Sequence, residues 1–226
     1  MCGIFGFSGE FNHADLETIT DLLDHRGPDD RGIYRDIDSK VALLQTRLSI
    51  IDLSPAGHQP MVSPCENVIM VFNGEIYNYL EIRSDLAEKG VQFNGHSDSE
   101  VILHLYLEVG TDFVEILNGI FSIAIFDKRN DELLIYRDGV GVKPLYYMAN
   151  ESGFIFSSEI KALKPFFEPE PKIDFKALEK YLTYLYCPGN STSLSDVKKI
   201  DPGHIMTVKK GKITGYKKWF TLPQTK

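Results

Sequence analysis

The chain has 226 residues, 43% hydrophobic and 25% charged, the balance of an ordinary soluble globular protein. That length admits one large domain or two small ones, and it buries about 70% of the unfolded surface, so stability requires neither disulfides nor a metal. With 24 Lys and Arg against 32 Asp and Glu the formal net charge is −8, which excludes a general nucleic-acid binder, because such a protein needs a basic face.

In chain order, Met1-Cys2-Gly3-Ile4-Phe5-Gly6 lacks the basic start and long apolar stretch of a signal peptide. Ile4 to Phe7 reads as a short strand ended by Gly9. Leu16, Ile19, Leu22 and Leu23 recur at helical spacing over 14–24, and Gly27-Pro28 ends that helix. Val41 to Leu44 and Leu48 to Leu53 read as strands flanking Gln45-Thr46-Arg47. Val68 to Phe72 is a buried strand, stopped by Asn73-Gly74. Asn78 and Glu81, then Ser97 and Glu100, have capping-box spacing and open two helices, over 78–89 and through Val109.

The second half begins with a hairpin, Phe121 to Asp127 and Glu132 to Asp138. Lys143 to Met148 pairs with Gly153 to Ser157. A helix follows from Asp174 to Leu185, and a last hairpin joins Gly203 to Val208 with Lys212 to Lys217. The clearest apolar run, Phe121 to Phe126, is far below the roughly 18 residues of a membrane span. Cys2, Cys65 and Cys187 are odd in number and form no CxxC pair, so neither a disulfide framework nor a cysteine zinc site is expected. Location is read as cytoplasmic, and no metal site is expected. Strands interspersed with helices but few βαβ units predict an α+β fold, with antiparallel sheets covered by helices.

Cys2 is the sharpest chemical candidate. Small residues at positions 2 and 3 permit removal of Met1, which leaves one residue carrying both a thiol and an α-amine that can accept its proton. The bland alternative is a small hydrophobe at the start of a strand. Asn73-Gly74-Glu75 is either a simple turn or a pair of donors, amide and backbone N–H, for an oxyanion. Arg47 suits a small carboxylate as well as it suits an ion pair. Asp98, at a helix start, is a cap or a partner for an ammonium group. Together these supply a nucleophile, an oxyanion hole and clamps for carboxylate and ammonium. A free amino acid with a side-chain amide, glutamine, satisfies all four.

Cys2-Gly3-Ile4-Phe5-Gly6, His25-Arg26-Gly27-Pro28-Asp29, Arg47-Leu48-Ser49-Ile50-Ile51-Asp52, Asn73-Gly74-Glu75-Ile76-Tyr77-Asn78 and Ser97-Asp98-Ser99-Glu100, in that order, resemble class II glutamine amidotransferases. Within them the likeness is greatest to the glutaminase domain of glutamine-hydrolysing asparagine synthetases. Arg137-Asp138, Lys143-Pro144-Leu145-Tyr146-Tyr147 and Ser158-Glu159-Ile160-Lys161-Ala162-Leu163 extend it. The resemblance implies the four-layer αββα sandwich of N-terminal nucleophile hydrolases. It implies Cys2 as nucleophile, with Asn73 and Gly74 as the oxyanion hole. Arg47 then takes the glutamine carboxylate and Glu75 and Asp98 the α-amino group, while Leu48, Ser49, Ile50 and Ile51 form the pocket.

A glutaminase domain is expected over residues 1–220, with 221–226 a stub toward an ATP-dependent synthetase domain. The glutaminase step implies no cofactor; ATP and Mg belong to that further module, whose Ser-Gly-Gly-x-Asp-Ser phosphate loop does not occur here. The partners implied are glutamine and a synthetase domain or subunit that receives ammonia, with neither nucleic acid nor membrane. A homo-oligomer is compatible with the sequence. Two alternatives stay open: the same glutaminase serving another acceptor, an amidated sugar or amino-acid derivative, and a non-catalytic regulatory domain. An exposed apolar patch is expected where a synthetase module docks.

Overall fold

Period-two alternation along the central strands sorts the apolar residues into three cores. The computed structural model describes residues 1–11 and 14–223; of the expected 221–226 stub, Gln224, Thr225 and Lys226 lie outside the described residues. The elements are β1 (Gly3–Gly9), α1 (Leu16–Leu23), β2 (Asp30–Asp36), β3 (Val41–Arg47), β4 (Met61–Val62), β5 (Val68–Ile76), α2 (Tyr79–Glu88), α3 (Asp98–Val109), β6 (Gly119–Asp127), β7 (Glu132–Arg137), β8 (Tyr146–Asn150), β9 (Gly153–Ser157), α4 (Phe175–Tyr184), β10 (Lys198–Lys199), β11 (His204–Lys209) and β12 (Lys212–Lys218). One antiparallel sheet has the order β10-β8-β9-β1-β3-β2 and the other β12-β11-β7-β6-β5-β4.

Between the sheets, Ile4, Val41, Leu43, Phe154 and Phe156 meet Ile69, Val71, Ala124, Phe126 and Ile135. The intervening residues of the first sheet, Phe5, Phe7 and Leu44, face outward onto Leu16, Ile19 and Leu23 of α1, with Leu163 and Phe166 beside them. On the far side, Met70, Phe72, Ile123, Ile125 and Tyr136 pack on Ile82 and Leu86 of α2 and Val101, Ile102 and Leu105 of α3. Burying each such large side chain stabilises the fold by about 1.5–3 kcal/mol. The layers are therefore α1, two sheets, then α2 and α3, the αββα sandwich that the sequence predicts. No helix among the described residues is long and apolar enough to cross a membrane.

Three local expectations are corrected and one strand is added. Residues 48–53 form no strand: Ile50 is 70% and Leu53 79% exposed. The Arg47 guanidinium donates to the carbonyls of Asp52 and Ser54, which folds the segment back on itself instead of leaving it extended. Residues 30–36, polar in sequence, form edge strand β2 on β3, since an edge needs only one apolar face. Asn73 and Gly74 do not stop β5; they continue it, opposite Ser122 and Phe121. Asn78 makes no capping hydrogen bond, because its amide bridges to Ile116 O and Asn118 N instead. At the other predicted box Ser97 Oγ does accept Glu100 N, while the Glu100 carboxylate turns to Asn94 N and Gly95 N.

Candidate active site

The inter-sheet layer turns polar at one end, where a cavity opens. Cys2 lies one residue before β1, at its mouth. The Leu48 N–H points at Cys2 Sγ at 3.4 Å, and the thiol faces Leu48 O at 3.8 Å. Arg47, Leu48, Ile50, Ile51, Asn73, Gly74, Glu75 and Asp98 line the same cavity, and Met1 sits in it too. Residues from four separate stretches thus meet: the N-terminus, the end of β3 with the segment after it, the end of β5, and the start of α3. Ser49 is not among the lining residues; its N–H donates to Asp29 Oδ2 at 2.8 Å, which ties the loop down from outside.

The loop that carries Leu48, Ile50 and Ile51 is built around two charges. Asp52 accepts Ser54 N at 2.8 Å and His96 N at 2.7 Å; those bonds hold its carboxyl at about 2. Arg47 is buried and pinned by main-chain carbonyls, with no carboxylate partner within salt-bridge distance among the described residues. A Cβ on Gly57 would stand 2.0 Å from Arg47 Nη2, so the guanidinium needs glycine there.

The edge of β5 supplies the donors. Its neighbour β4 reaches only as far as Met70, so beyond that residue one side of β5 is unpaired. Phe121 O and N are engaged by Asp138 N and Oδ2, on the side away from β5. Gly74, opposite Phe121, therefore turns its N–H away from β6, toward the unpaired edge. Its same-side neighbours confirm the direction: Phe72 N donates to Gln59 Oε1 at 2.7 Å and Ile76 N to Asp98 Oδ2 at 3.1 Å. The Gly74 N–H lies between them, facing the cavity. Next to it Asn73 Nδ2 is buried and has no hydrogen-bond partner. An unsatisfied buried donor is costly, which marks it as aimed at something it binds.

Electrostatics at the site oppose ionisation of both key acids. Burial pushes the Cys2 thiol up, against the Leu48 N–H, the N-terminal charge and Arg47, which pull it down. Burial likewise raises Asp98 to about 6, although Ile76 N and helix-start N–H groups favour its charge. Sequence reasoning missed Lys143, Gln59 and Phe72 in the lining. Lys143 stood in a quoted motif, but nothing local distinguished it from a surface lysine; only its burial in the cavity wall does.

An αββα sandwich that brings Cys2, Asn73 and Gly74 to one cavity is the arrangement of a glutamine amidotransferase domain. Residues 1–220 match the model of the glutamine amidotransferase domain, and the chain belongs to that family. It is 36% identical over 230 aligned positions to asparagine synthetase [glutamine-hydrolyzing] 1 of Bacillus subtilis (strain 168), covering 97% of this chain and 35% of that protein. To asparagine synthetase B [glutamine-hydrolyzing] of Escherichia coli (strain K12) it is 40% identical over 172 positions, 73% of this chain and 30% of that one. The chain spans about a third of the length of these curated relatives. Among solved structures, the glutamine phosphoribosylpyrophosphate amidotransferase from B. subtilis superposes with a TM-score of 0.70 over 98% of this chain and 50% of its own, at 17% identity, a likeness of fold.

Proposed function

We propose that this domain hydrolyses glutamine to glutamate and ammonia through a γ-glutamyl thioester on Cys2. Its ammonia would go to an ATP-dependent asparagine-synthetase-like module. The observation that carries the reading is the convergence of Cys2, Arg47, Asn73, Gly74 and Asp98 on one cavity, with the Asn73 amide buried and unpartnered.

In this mechanism Arg47 binds the α-carboxylate of glutamine, and Asp98 with Glu75 binds its α-ammonium. Removal of Met1 clears the cavity mouth and frees the Cys2 amine. That amine takes the thiol proton, since burial keeps the thiol protonated and no histidine among the described residues lines the cavity. Sγ attacks the amide carbon, and the oxyanion settles between Asn73 Nδ2 and the Gly74 N–H. The proton passes to the leaving nitrogen, ammonia departs, and water cleaves the thioester. Each oxyanion donor is worth about 10²–10³ in rate.

The acceptor is inferred from the relatives, which are named glutamine-hydrolysing asparagine synthetases and of which this chain spans about a third. We place the docking of that module on α4. Phe175, Leu178 and Leu182 recur on one side of that helix and Leu185 follows at its C-cap; Phe175, Leu182 and Leu185 are each more than 70% exposed, and Ala177 is the helix's only buried residue. The test is glutaminase assay and intact mass together. Wild-type protein should lack Met1 and release ammonia from glutamine, and Cys2→Ala should abolish release. Full activity in Cys2→Ala, or in protein that retains Met1, refutes the mechanism.

A further inference from the structure

Cys2 precedes the first strand, so the sheet does not hold its main chain, yet a nucleophile must be held to within a fraction of an ångström. Two attachments do this. Ile4, two residues on, is bound on both sides by the end of β9: its N–H donates to Ser158 Oγ at 3.1 Å, and its carbonyl accepts Ser158 N at 2.9 Å and Ser157 Oγ at 3.3 Å. The carbonyl of Cys2 itself accepts Arg26 Nε at 3.0 Å. Arg26 comes from the 3-10 turn after α1 and lies across Gly3, where a Cβ would stand 3.5 Å from its Cδ.

What aims Arg26 is Glu159, the residue immediately after the two serines. Glu159 Oε1 accepts Arg26 Nη1 at 2.9 Å and His25 Nε2 at 2.9 Å, and Lys161 Nζ lies 3.5 Å from Oε2. One carboxylate gathers three basic groups, and it holds Arg26 by Nη1 alone, since the buried Nη2 has no hydrogen-bond partner. Burial works against the charge on Glu159, but the bonds from Arg26 and His25 outweigh it and hold the carboxyl below its ordinary range. Without the carboxylate, the nearly buried Arg26 guanidinium would lose its counter-charge. Neither Arg26 nor Glu159 lines the cavity.

We propose that Glu159 is a positioning residue for the nucleophile: through Arg26 it fixes the main chain of Cys2, and it acts on catalysis without touching glutamine. This rests on Cys2 being the nucleophile. Apart from Ser157, the residues on the clamp come from the segments 25–26 and 158–161, which the resemblance picks out but to which the proposed chemistry assigns no role.

The experiment compares wild type, E159A and the isosteric E159Q in steady-state kinetics and in alkylation of Cys2 by iodoacetamide, followed at that cysteine by peptide mass. E159A should lower kcat about ten- to a hundredfold, the scale of a misplaced catalytic group, with KM for glutamine unchanged within about twofold. Alkylation of Cys2 should slow in parallel. E159Q keeps an acceptor for Arg26 but not the charge, and should fall between; it carries the test if E159A does not fold. Unchanged kcat and alkylation rate in a folded variant overturn the proposal, as does a rise in KM alone. A wild-type protein without glutaminase activity, whose Cys2 alkylation still slows in E159Q, would refute the proposed function and leave this role for Glu159 standing.

Discussion

Asp98→Asn should make the ligand-free protein more stable and the enzyme worse. Asp98 is 5% exposed, and its carboxyl is raised from an ordinary 3.8 to about 6, chiefly by burial. A carboxyl whose folded-state value lies above its unfolded one binds more protons when folded, so stability falls as pH rises from 3.8 to about 6 and stays lower above that. At about 1.4 kcal/mol per pH unit, the loss is on the order of 3 kcal/mol at about pH 8. Asparagine keeps an oxygen to accept Ile76 N and never ionises. Urea unfolding at about pH 8 should therefore show D98N more stable by that order, and the two proteins should converge by about pH 4. Glutamine binding needs the opposite charge state, because the ionised carboxylate meets the α-ammonium. Loss of a charged hydrogen bond worth about 1.5–3 kcal/mol should raise KM about ten- to a hundredfold, and wild-type KM should climb as pH falls below about 6. Equal stability of the two proteins at pH 8 would refute the reasoning. So would a gain of the same size at both pH values.

Asn73→Ala removes a buried amide nitrogen that makes no bond in the free protein. Its folding stability should change by no more than about 1 kcal/mol, since a lost unsatisfied donor offsets a small cavity, while kcat falls about 10²–10³-fold; paired urea titration and ammonia-release assays check both. Gly57→Ala places a Cβ 2.0 Å from Arg47 Nη2 and 2.5 Å from Cζ, so the guanidinium must shift. KM for glutamine should rise about tenfold or more with kcat at saturation nearly kept, measurable by steady-state kinetics.

The strands and helices that pack by simple alternation were legible in the residues: β1, the β6–β7 hairpin, α3 and the β11–β12 hairpin fall where the patterns put them. Two of the misreadings lie at the cavity. Leu48 to Leu53 has a strand's apolar run, but a single guanidinium claims the carbonyls of Asp52 and Ser54 and bends it. Asn73-Gly74 has a turn's composition, but the β6 partner extends β5 through it. Both errors have one cause: local pattern reports propensity, and a tertiary hydrogen bond overrides it at small cost.

By themselves the residues determined that Cys2 could carry thiol and amine together, and that an acid, a base and two donors were present to serve an amino-acid amide. They determined too that the sheets would be antiparallel and covered by helices. Only the tertiary structure decided that these groups share a cavity, because they come from strands of different sheets that meet through a common core. It also decided which way the Gly74 N–H points, since that depends on Asp138 occupying the backbone of Phe121. And it joined Glu159 to Arg26 across 133 residues of chain, a pairing that no spacing along the sequence encodes, because distance in space is set by how the strands are ordered in the sheet.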